Sequence, residues 1–404
     1  MKRLRTVAVV FGAVSVVMIA AAAAFSSEPA PRAARVASST ALLRNCTGDV
    51  AATRRFAGYR YVILNAWNYR LIRRLKAETP GIKVLVYKDM ATSREDTARN
   101  GVDHRFIPAG VGFAWAAKHH PDWFVTDAGG RRINWKAWPS QWQMDVGKPA
   151  YQQAWRSNVS RELKQFGWDG VLIDNVNASL QYPWILDGRT TPRYPTDADY
   201  EAATTQFLMH VAPALKKDGF LVIANMNDVT GPLWRRWLAL TSGAMKEWWT
   251  KAGLDTEEGL LGGDAWAQQM ELFGVAQSLG RVFLAVTYGR ALDSRAMRYA
   301  RASFLLGWSG GGSALIYQIC GADPWSPEWS SEIGLPLGSA RAVEGVWRRE
   351  FTRGMVLVNP SDSSVSVQLP KTYLLLSGSP VTGIVLGPRD GLVLRRQAST
   401  RSGS

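Results

Sequence analysis

Cysteine and histidine are scarce in this sequence. Cys46 and Cys320 are the only thiols among 404 residues, and there are four histidines. These numbers exclude a disulfide scaffold, an iron–sulfur protein and a cysteine-rich zinc site, and they leave little for a histidine metal centre. We therefore expect neither a metal nor a cofactor. Whether the two cysteines form one disulfide or stay unpaired remains open at this point.

Acidic residues are also few. There are 48 Lys and Arg against 33 Asp and Glu, which gives a formal net charge of +15. Such an excess raises nucleic acid, or an anionic polymer, as a partner. The arginines are scattered along the chain, which argues against nucleic acid. The 18 tryptophans favour a surface that grips flat sugar faces. We therefore expect a polysaccharide partner, with an anionic one as an alternative.

The only long uncharged apolar stretch lies at the N-terminus. Three basic residues within the first five precede the run Thr6–Ser27, and a polar segment rich in alanine and proline follows it. This pattern predicts a secretory signal peptide over residues 1–30 and a linker over 31–44. The run is also long enough for an uncleaved membrane anchor through residues 6–27. Either alternative predicts a secreted or cell-surface protein, and the abundance of arginine and alanine suggests a bacterial one.

Short apolar runs alternate with helical stretches through most of the chain. One predicted helix begins at Pro149 and ends before Gly167, and Asp197 through Lys217 is another. The predicted strands are Tyr61–Ala66, Val84–Tyr87, Trp142–Val146, Val171–Ile173, Phe220–Ala224, Ala244–Trp249, Val282–Thr287 and Ala314–Tyr317. Eight such runs predict an α/β fold, a (β/α)8 TIM barrel over residues 45–340. A doubly wound open sheet is the alternative, but no glycine-rich dinucleotide fingerprint follows the first strand.

The end of the chain has a different pattern. Short strands separated by glycine, proline and serine turns fill residues 341–396, with no helical stretch among them. They predict a small antiparallel, β-sandwich-like accessory domain. Residues 397–404 are expected to form a disordered tail. The glycine-rich Ser309–Ser313 precedes the eighth predicted strand and is interpreted as a turn on the barrel floor.

Active sites of such barrels lie at the C-terminal ends of the strands. Histidine is absent from these predicted ends, so acid–base chemistry falls to Asp and Glu. Asp174 ends a very hydrophobic strand, and Glu247 stands beside two indoles that would raise its pKa. This carboxylate pair is the predicted catalytic pair. Predicted substrate-binding residues at the same ends are Asn65, Trp67, Lys88, Asp89, Asp145, Asn175, Asn225, Asn227, Trp248, Trp249, Tyr288, Tyr317 and Gln318.

The structural alternative is that single carboxylates at strand ends are solvated or cap helices. Asp228 is a further candidate of this kind. Most of the remaining tryptophans, Trp135 and Trp138 among them, are expected in the core or in loop packing.

Several motifs together resemble one known family. They are His120–Phe124 (HPDWF), Asp127–Gly130 (DAGG), Met144–Gly147 (MDVG) and Trp168–Asn175 (WDGVLIDN). The chain from about Asn45 to Arg396 resembles the hypothetical glycosyl hydrolase 15-like family, which is distantly related to barrel enzymes such as the endo-polygalactosaminidases. The resemblance implies a glycosidase in which Asp174 is the nucleophile and Glu247 the proton donor. A noncatalytic carbohydrate-binding barrel is the alternative from another functional class.

Overall fold

The computed structural model describes residues 41–44, 59–253, 259–289, 293–318 and 333–397. The predicted signal peptide, both cysteines and residues 398–404 lie outside this part of the chain. Within it, no helix is long and apolar enough to cross a membrane.

The described residues form strands and helices that are numbered here in chain order. The strands are β1 Ala41–Arg44, β2 Tyr59–Leu64, β3 Lys83–Asp89, β4 Thr92–Arg94, β5 Ala98–Arg99, β6 Val102–Asp103, β7 Gln141–Gln143, β8 Gly170–Asp174, β9 Leu221–Asn225, β10 Gly243–Lys246, β11 Val282–Tyr288, β12 Ala314–Gln318, β13 Arg341–Val343, β14 Val346–Phe351, β15 Gly354–Asn359, β16 Val365–Leu374, β17 Pro380–Leu386 and β18 Asp390–Arg396. The helices are α1 Leu71–Glu78, α2 Phe113–His119, α3 Pro149–Phe166, α4 Asp197–Lys217, α5 Gly231–Leu240, α6 Gly263–Ser278 and α7 Ser294–Gly307.

Eight parallel strands close into a barrel. Their order around it is β1-β12-β11-β10-β9-β8-β3-β2, and each neighbouring pair is parallel. The predicted fold class, a (β/α)8 barrel followed by an antiparallel β domain, is confirmed.

One of the eight predicted strands is wrong. Residues 142–146 do not enter the barrel, because β7 pairs antiparallel with β4 outside it. The missing strand is β1, which lies in the segment 31–44 that was predicted as a linker. The predicted number of eight barrel strands was therefore right, because one wrongly included strand made up for one that was missed. Asp174 and Glu247 still follow the fourth and sixth barrel strands.

Local sequence signals explain where the helices begin and end. Pro149 occupies the first turn of α3, where its missing N–H costs nothing, and Gly167 ends the helix with a φ of 74°. Thr196 caps the N-terminus of α4: its side chain accepts from the backbone N–H of Asp199, and the Asp199 side chain accepts from the backbone N–H of Thr196.

Alternating side chains give the barrel two apolar layers. Tyr61, Leu85, Leu172, Ile223 and Met245 belong to a cluster that fills the interior. The residues between them on each strand pack outward against the helices in the larger cluster. This period of two places the last inward side chain of each strand at the barrel mouth.

The C-terminal domain is one antiparallel sheet. Its strand order is β13-β14-β15-β18-β16-β17, and every neighbouring pair is antiparallel. The sheet packs on α7, and a Cβ added at Gly391 would come 2.6 Å from the Cβ of Ala302. Buried Arg349 donates to the carbonyl of Leu306 (2.9 Å) in the last turn of that helix and to the carbonyl of Trp308 (2.7 Å) just after it. The helix therefore covers one face of the sheet, and Met355, Leu357, Val367 and Leu386 belong to a separate apolar cluster within the domain.

Candidate active site

A row of polar side chains stands at the mouth of the barrel. Leu172, Ile223 and Met245 face the interior, and two residues later the same alternation gives Asp174, Asn225 and Glu247. Asp174 lies next to Asp89 in the parallel register of β8 and β3. These four side chains, which the sequence predicted at separate strand ends, therefore lie close together at the barrel mouth.

One amide joins the two predicted catalytic carboxylates. The Nδ2 of Asn225 donates to Oδ1 of Asp174 at 2.7 Å and to Oε2 of Glu247 at 3.0 Å. An amide nitrogen carries two hydrogens, so it can make both bonds at once. Asn225 and Asp174 are only 4% and 8% exposed. The two carboxyl groups are therefore held at a fixed separation by a buried bridge.

A tyrosine completes the contacts of each carboxylate. The hydroxyl of Tyr87 donates to Oδ2 of Asp174 at 2.6 Å, and the hydroxyl of Tyr288 donates to Oε1 of Glu247. The ring of Trp248 lies 4.3 Å from that of Tyr288, between centroids. Each carboxyl group thus has both oxygens engaged by a neutral amide or hydroxyl donor.

The backbone turns sharply after each member of the pair. Asn175 and Trp248 follow Asp174 and Glu247 directly, with φ values of 59° and 55°. The left-handed region is unusual for a residue as large as tryptophan and is found often at functional sites. The turn sends Trp248 toward the barrel mouth and leaves the next residue, Trp249, on the opposite side.

Asp89 lies directly behind Asp174. It is 1% exposed and accepts hydrogen bonds from the Thr92 hydroxyl (2.6 Å) and from Nδ2 of Asn175 (2.8 Å). Burial, and secondly the negative charge of Asp174, raise its pKa to about 7, against the opposing effect of these hydrogen bonds. The mouth of the barrel therefore carries a third carboxyl group beside Asp174 and Glu247, and the pKa of this third group lies near neutral pH.

A cavity of about 380 Å³ opens in front of these groups. It is lined by aromatic, amide and acidic side chains: Trp135, Trp138, Asn175, Asn177, Tyr182, Trp184, Asn225, Asn227, Asp228, Glu247 and Trp248. Its size and lining suit a sugar. Asn175, Asn225, Asn227, Glu247 and Trp248 were predicted for the site, and all five line the cavity.

The aromatic wall of this cavity was not predicted. Tyr182 and Trp184 belong to the segment between β8 and α4, and their rings stack at 4.5 Å with planes 4° apart. Trp138, expected in core or loop packing, is 49% exposed on the neighbouring segment. The signal that could have found Tyr182 and Trp184 is their place in a long loop after a barrel strand, where barrel enzymes carry functional residues.

Asp228 and Lys246 lie beside this wall. Oδ2 of Asp228 accepts from the backbone N–H of Ala178 at 3.1 Å and from the hydroxyl of Tyr182. Lys246 is 4% exposed and donates to the carbonyl of Asn227; burial lowers its pKa to about 8, although the charge of Asp228 opposes this. Asp228 thereby fixes the loop that carries the aromatic wall.

Four predicted binding residues lie elsewhere. Lys88 faces the helix layer, where its Nζ pairs with Glu162 at 2.7 Å, and burial lowers its pKa. Trp249 and Tyr317 are buried in the outer apolar layer. Asp145 is bound by Arg193 at 2.7 Å and by the hydroxyl of Tyr194. None of the four lines the cavity.

The other predicted positions are at strand ends outside the cavity lining. Asn65 is half-buried after β2, and Trp67 is 42% exposed on a short 3₁₀ turn. Tyr288 reaches the site through Glu247. Gln318 ends β12 opposite Tyr288, and its side chain lies outside the described part of the structure.

Two other chemistries find no support in the described residues. They contain no group of three or more His, Cys, Asp or Glu side chains placed to hold a metal ion. Gly307–Gly311 has the glycine–serine–glycine spacing of a serine nucleophile elbow. This segment precedes β12 and therefore lies at the floor of the barrel, where the sequence predicted a turn over Ser309–Ser313. The hydroxyl of Ser309 donates there to Gln277.

Comparison with known proteins gives the family. No curated protein sequence matches the chain. Among solved structures, an enzyme of family GH13_31 covers 89% of this chain and 99% of its own at 12% identity and a TM-score of 0.53. The maltogenic α-amylase AmyB of Thermotoga neapolitana covers 88% and 98% at 10% identity and 0.51. At these identities the two likenesses support the barrel fold alone.

The glycoside hydrolase domain of PelA from Pseudomonas aeruginosa is also similar, at 15% identity over 68% of this chain and 94% of its own, with a TM-score of 0.45. Residues 76–355, which carry the barrel from β3 onward and the first strands of the C-terminal sheet, match the family described as hypothetical glycosyl hydrolase family 15. The chain therefore belongs to hypothetical glycosyl hydrolase family 15 and is a glycosidase by family.

Proposed function

We propose that this protein cleaves O-glycosidic bonds in a polysaccharide with retention of anomeric configuration, using Asp174 as nucleophile and Glu247 as general acid. The observation that carries the proposal is the bridge through Asn225. Because both bonds begin at one nitrogen, the bridged oxygens of Asp174 and Glu247 lie less than about 6 Å apart. Retaining glycosidases hold their carboxyl groups about 5–5.5 Å apart, whereas inverting ones need roughly 6.5–9.5 Å.

In the first step, Glu247 donates its proton to the leaving oxygen while the carboxylate of Asp174 attacks the anomeric carbon. The glycosidic bond breaks and an ester forms between the sugar and Asp174. In the second step, the ionised Glu247 takes a proton from water, which attacks the same carbon and releases Asp174.

The neighbouring groups suit these roles. Asn225 and Tyr87 donate to the two oxygens of Asp174 and so hold its carboxyl group in one orientation. The hydroxyl of Tyr288 can accept as well as donate, so its contact with Glu247 is compatible with the acid and with the conjugate base.

The test is substitution of each carboxylate by its amide. Asp174→Asn and Glu247→Gln keep the shape and should each lower turnover by about 10²–10⁴. Asp264→Asn and Glu271→Gln, which change exposed acids on α6, serve as matched controls. Hydrolysis of a panel of polysaccharides and aryl glycosides is the assay, and the melting temperature of every variant is measured alongside.

A fluorinated glycoside of the cleaved sugar tests retention directly. It should leave a sugar attached to the peptide that contains Asp174, detected by mass spectrometry. Folded variants with near-parent turnover would refute the assignment of the pair. A parent that binds glycans tightly and cleaves none would instead favour the noncatalytic carbohydrate-binding barrel.

We also propose export, from the residues before the described structure. The basic start and the apolar run through residues 6–27 support a signal peptide or a membrane anchor. Expressed in a bacterial host with its own N-terminus, the protein should be found outside the cytoplasm. Mass spectrometry of the mature N-terminus separates cleavage from anchoring, and an intact Met1 in the soluble cytoplasmic pool would contradict export.

A further inference from the structure

Asn175 is held firmly beside the proposed nucleophile. It follows Asp174 directly, has a φ of 59° and lines the cavity. The backbone is tied on both sides of it. The N–H of Met90 donates to the carbonyl of Asp174 at 3.3 Å, and the N–H of Val176 donates to that of Asn225 at 3.2 Å. Asparagine adopts this left-handed conformation more readily than most residues. The Cα–Cβ bond of Asn175 therefore points in one fixed direction.

Asp89 decides which way the amide of Asn175 faces. Oδ1 of Asp89 accepts from the backbone N–H groups of Ala91 (2.7 Å) and Thr92 (3.0 Å). Its Oδ2 accepts from the Thr92 hydroxyl (2.6 Å) and from Nδ2 of Asn175 (2.8 Å). An ionised carboxyl group only accepts, so the nitrogen of the amide must face it. Because Asp89 is 1% exposed and Asn175 lines the cavity, Oδ1 of Asn175 is left on the cavity side.

An acceptor oxygen at this place suits one position of a bound sugar. Asp174 would attack the anomeric carbon, so its neighbour Asn175 lies near the atoms attached to that carbon. One of these is the ring oxygen, which has no hydrogen to donate. The other is carbon 2, whose substituent can be a donor. Oδ1 of Asn175 can accept from a hydroxyl or an amine on carbon 2, and it gains no hydrogen bond from hydrogen or fluorine there.

We propose that Asn175 binds the hydrogen-bond donor on carbon 2 of the sugar that Asp174 attacks, and that Asp89 is the positioning residue that orients its amide. The proposal rests on the proposed glycosidase function for the place of the anomeric carbon. It narrows the substrate class to polysaccharides whose reacting ring carries a hydroxyl or an amine on carbon 2.

The test compares sugars that differ only at carbon 2. Glucose and galactose rings are each used with a hydroxyl, an amine, hydrogen or fluorine at this position. Binding to the full chain is followed by tryptophan fluorescence, since Trp138, Trp184 and Trp248 line the cavity. The measurement is made at pH 8, above the Asp89 pKa of about 7.

The hydroxyl or the amino member of the better-bound ring should bind about 5-fold more tightly than the hydrogen and fluorine members, as expected for one hydrogen bond. The hydroxyl and amino arms show which donor the site takes. Equal binding of all four members would overturn the proposal, and so would a failure of both rings to bind.

A glycine variant connects this preference to Asn175. Asn175→Gly removes the amide and suits the left-handed backbone, so the chain should fold and bind all four members of a ring about equally. Asn100→Gly is the matched control. Asn100 is exposed, has a φ of 51° and lies between β5 and β6, outside the cavity lining. It should keep the preference of the parent, and a preference that survives in Asn175→Gly would contradict the proposal.

Asp89→Asn tests the positioning role. The N–H groups of Ala91 and Thr92 would hold the oxygen of the new amide, which turns its NH2 group toward Asn175. The amide of Asn175 must then turn over to accept, and it presents its own NH2 group to the cavity. Hydroxyl and fluorine can both accept from that group, so the preference for hydroxyl over fluorine should shrink from about 5-fold to less than about 2-fold.

Thr92→Val is the control for this step. It removes the hydroxyl that donates to Asp89 but leaves the contact between Asp89 and Asn175, so the preference for hydroxyl over fluorine should stay as in the parent. A general loss of packing would change the melting temperature and leave this ratio unaltered. An unchanged ratio in Asp89→Asn would refute the positioning role.

The outcomes separate this inference from the proposed function. A protein that cleaves through Asp174 and Glu247 and shows no preference at carbon 2 would refute the role of Asn175 and leave the proposed function standing. A protein that shows the preference in binding and cleaves nothing would do the reverse.

Discussion

Replacing Asp89 by asparagine should change how stability depends on pH. In the folded protein, burial and the charge of Asp174 raise the pKa of Asp89 from 3.8 to about 7. Between those values the folded chain binds a proton that the unfolded chain has released. The free energy of unfolding therefore falls as pH rises through this window. Well below pH 3.8 the carboxyl group is protonated in both states, and Asp89 adds no slope.

The size of the effect follows from the same pKa difference. A rise from 3.8 to about 7 corresponds to about 4 kcal/mol between the two ends of the window. That is a large part of the 5–15 kcal/mol typical of a folded domain. The assay is urea unfolding followed by tryptophan fluorescence at several pH values from 4 to 8. The stability of the parent minus that of Asp89→Asn should fall by about 4 kcal/mol across the series.

Only the change with pH is used, because asparagine also alters the hydrogen bonds from Thr92 and Asn175 by a constant amount. Glu271→Gln on α6 is the control, and its curve should run parallel to that of the parent. Parallel curves for Asp89→Asn as well would refute the reasoning. A difference that grows with pH would show that the donors around Asp89 outweigh its burial.

Two further predictions concern residues that the sequence assigned to the site. Lys88→Met should destabilise the fold by about 3–5 kcal/mol in urea unfolding, because it leaves Glu162 without its partner. Adding Glu162→Met should recover most of this loss. An unchanged free energy of unfolding in Lys88→Met would contradict the contribution of the buried pair. Trp249→Ala should cost about 3–5 kcal/mol because the ring packs among Phe273, Phe283 and Phe304. Trp248→Ala should instead lower activity with a smaller change in melting temperature. A larger loss of stability in Trp248→Ala than in Trp249→Ala would contradict the burial of Trp249.

The sequence predicted the barrel and the polar residues at its strand ends because both depend on periodic patterns. The end of a hydrophobic strand led to Asp174 and the two neighbouring indoles led to Glu247, and alternation along the strands shows why other choices failed. Lys88 precedes Asp89, Trp249 follows Trp248, and in each pair only one side chain faces the barrel mouth. A shift of one residue moves a side chain to the opposite face.

The sequence could not predict the aromatic residues in loops or the pairing of strands that lie far apart in the chain. Tyr182 and Trp184 have no periodic context, so nothing local separates them from aromatic residues that fill the core. Strand β1 was missed because its four residues, Ala-Leu-Leu-Arg, follow a segment of linker composition, and only pairing with β2 and β12 makes them a strand. The run Trp142–Val146 was placed in the barrel for the converse reason, since the strand that overlaps it, β7, pairs with β4 and not with a barrel strand.

The position of β1 decides where a recombinant chain should begin. If residues 31–44 were only a linker, expression from Asn45 would be the natural choice. That chain would lack the strand that joins β2 to β12, and both would become open edges with unpaired backbone groups. Such a protein would be prone to pair with its own copies and to precipitate, and an inactive preparation of it would say nothing about Asp174 or Glu247. A start before Ala41 keeps the barrel closed.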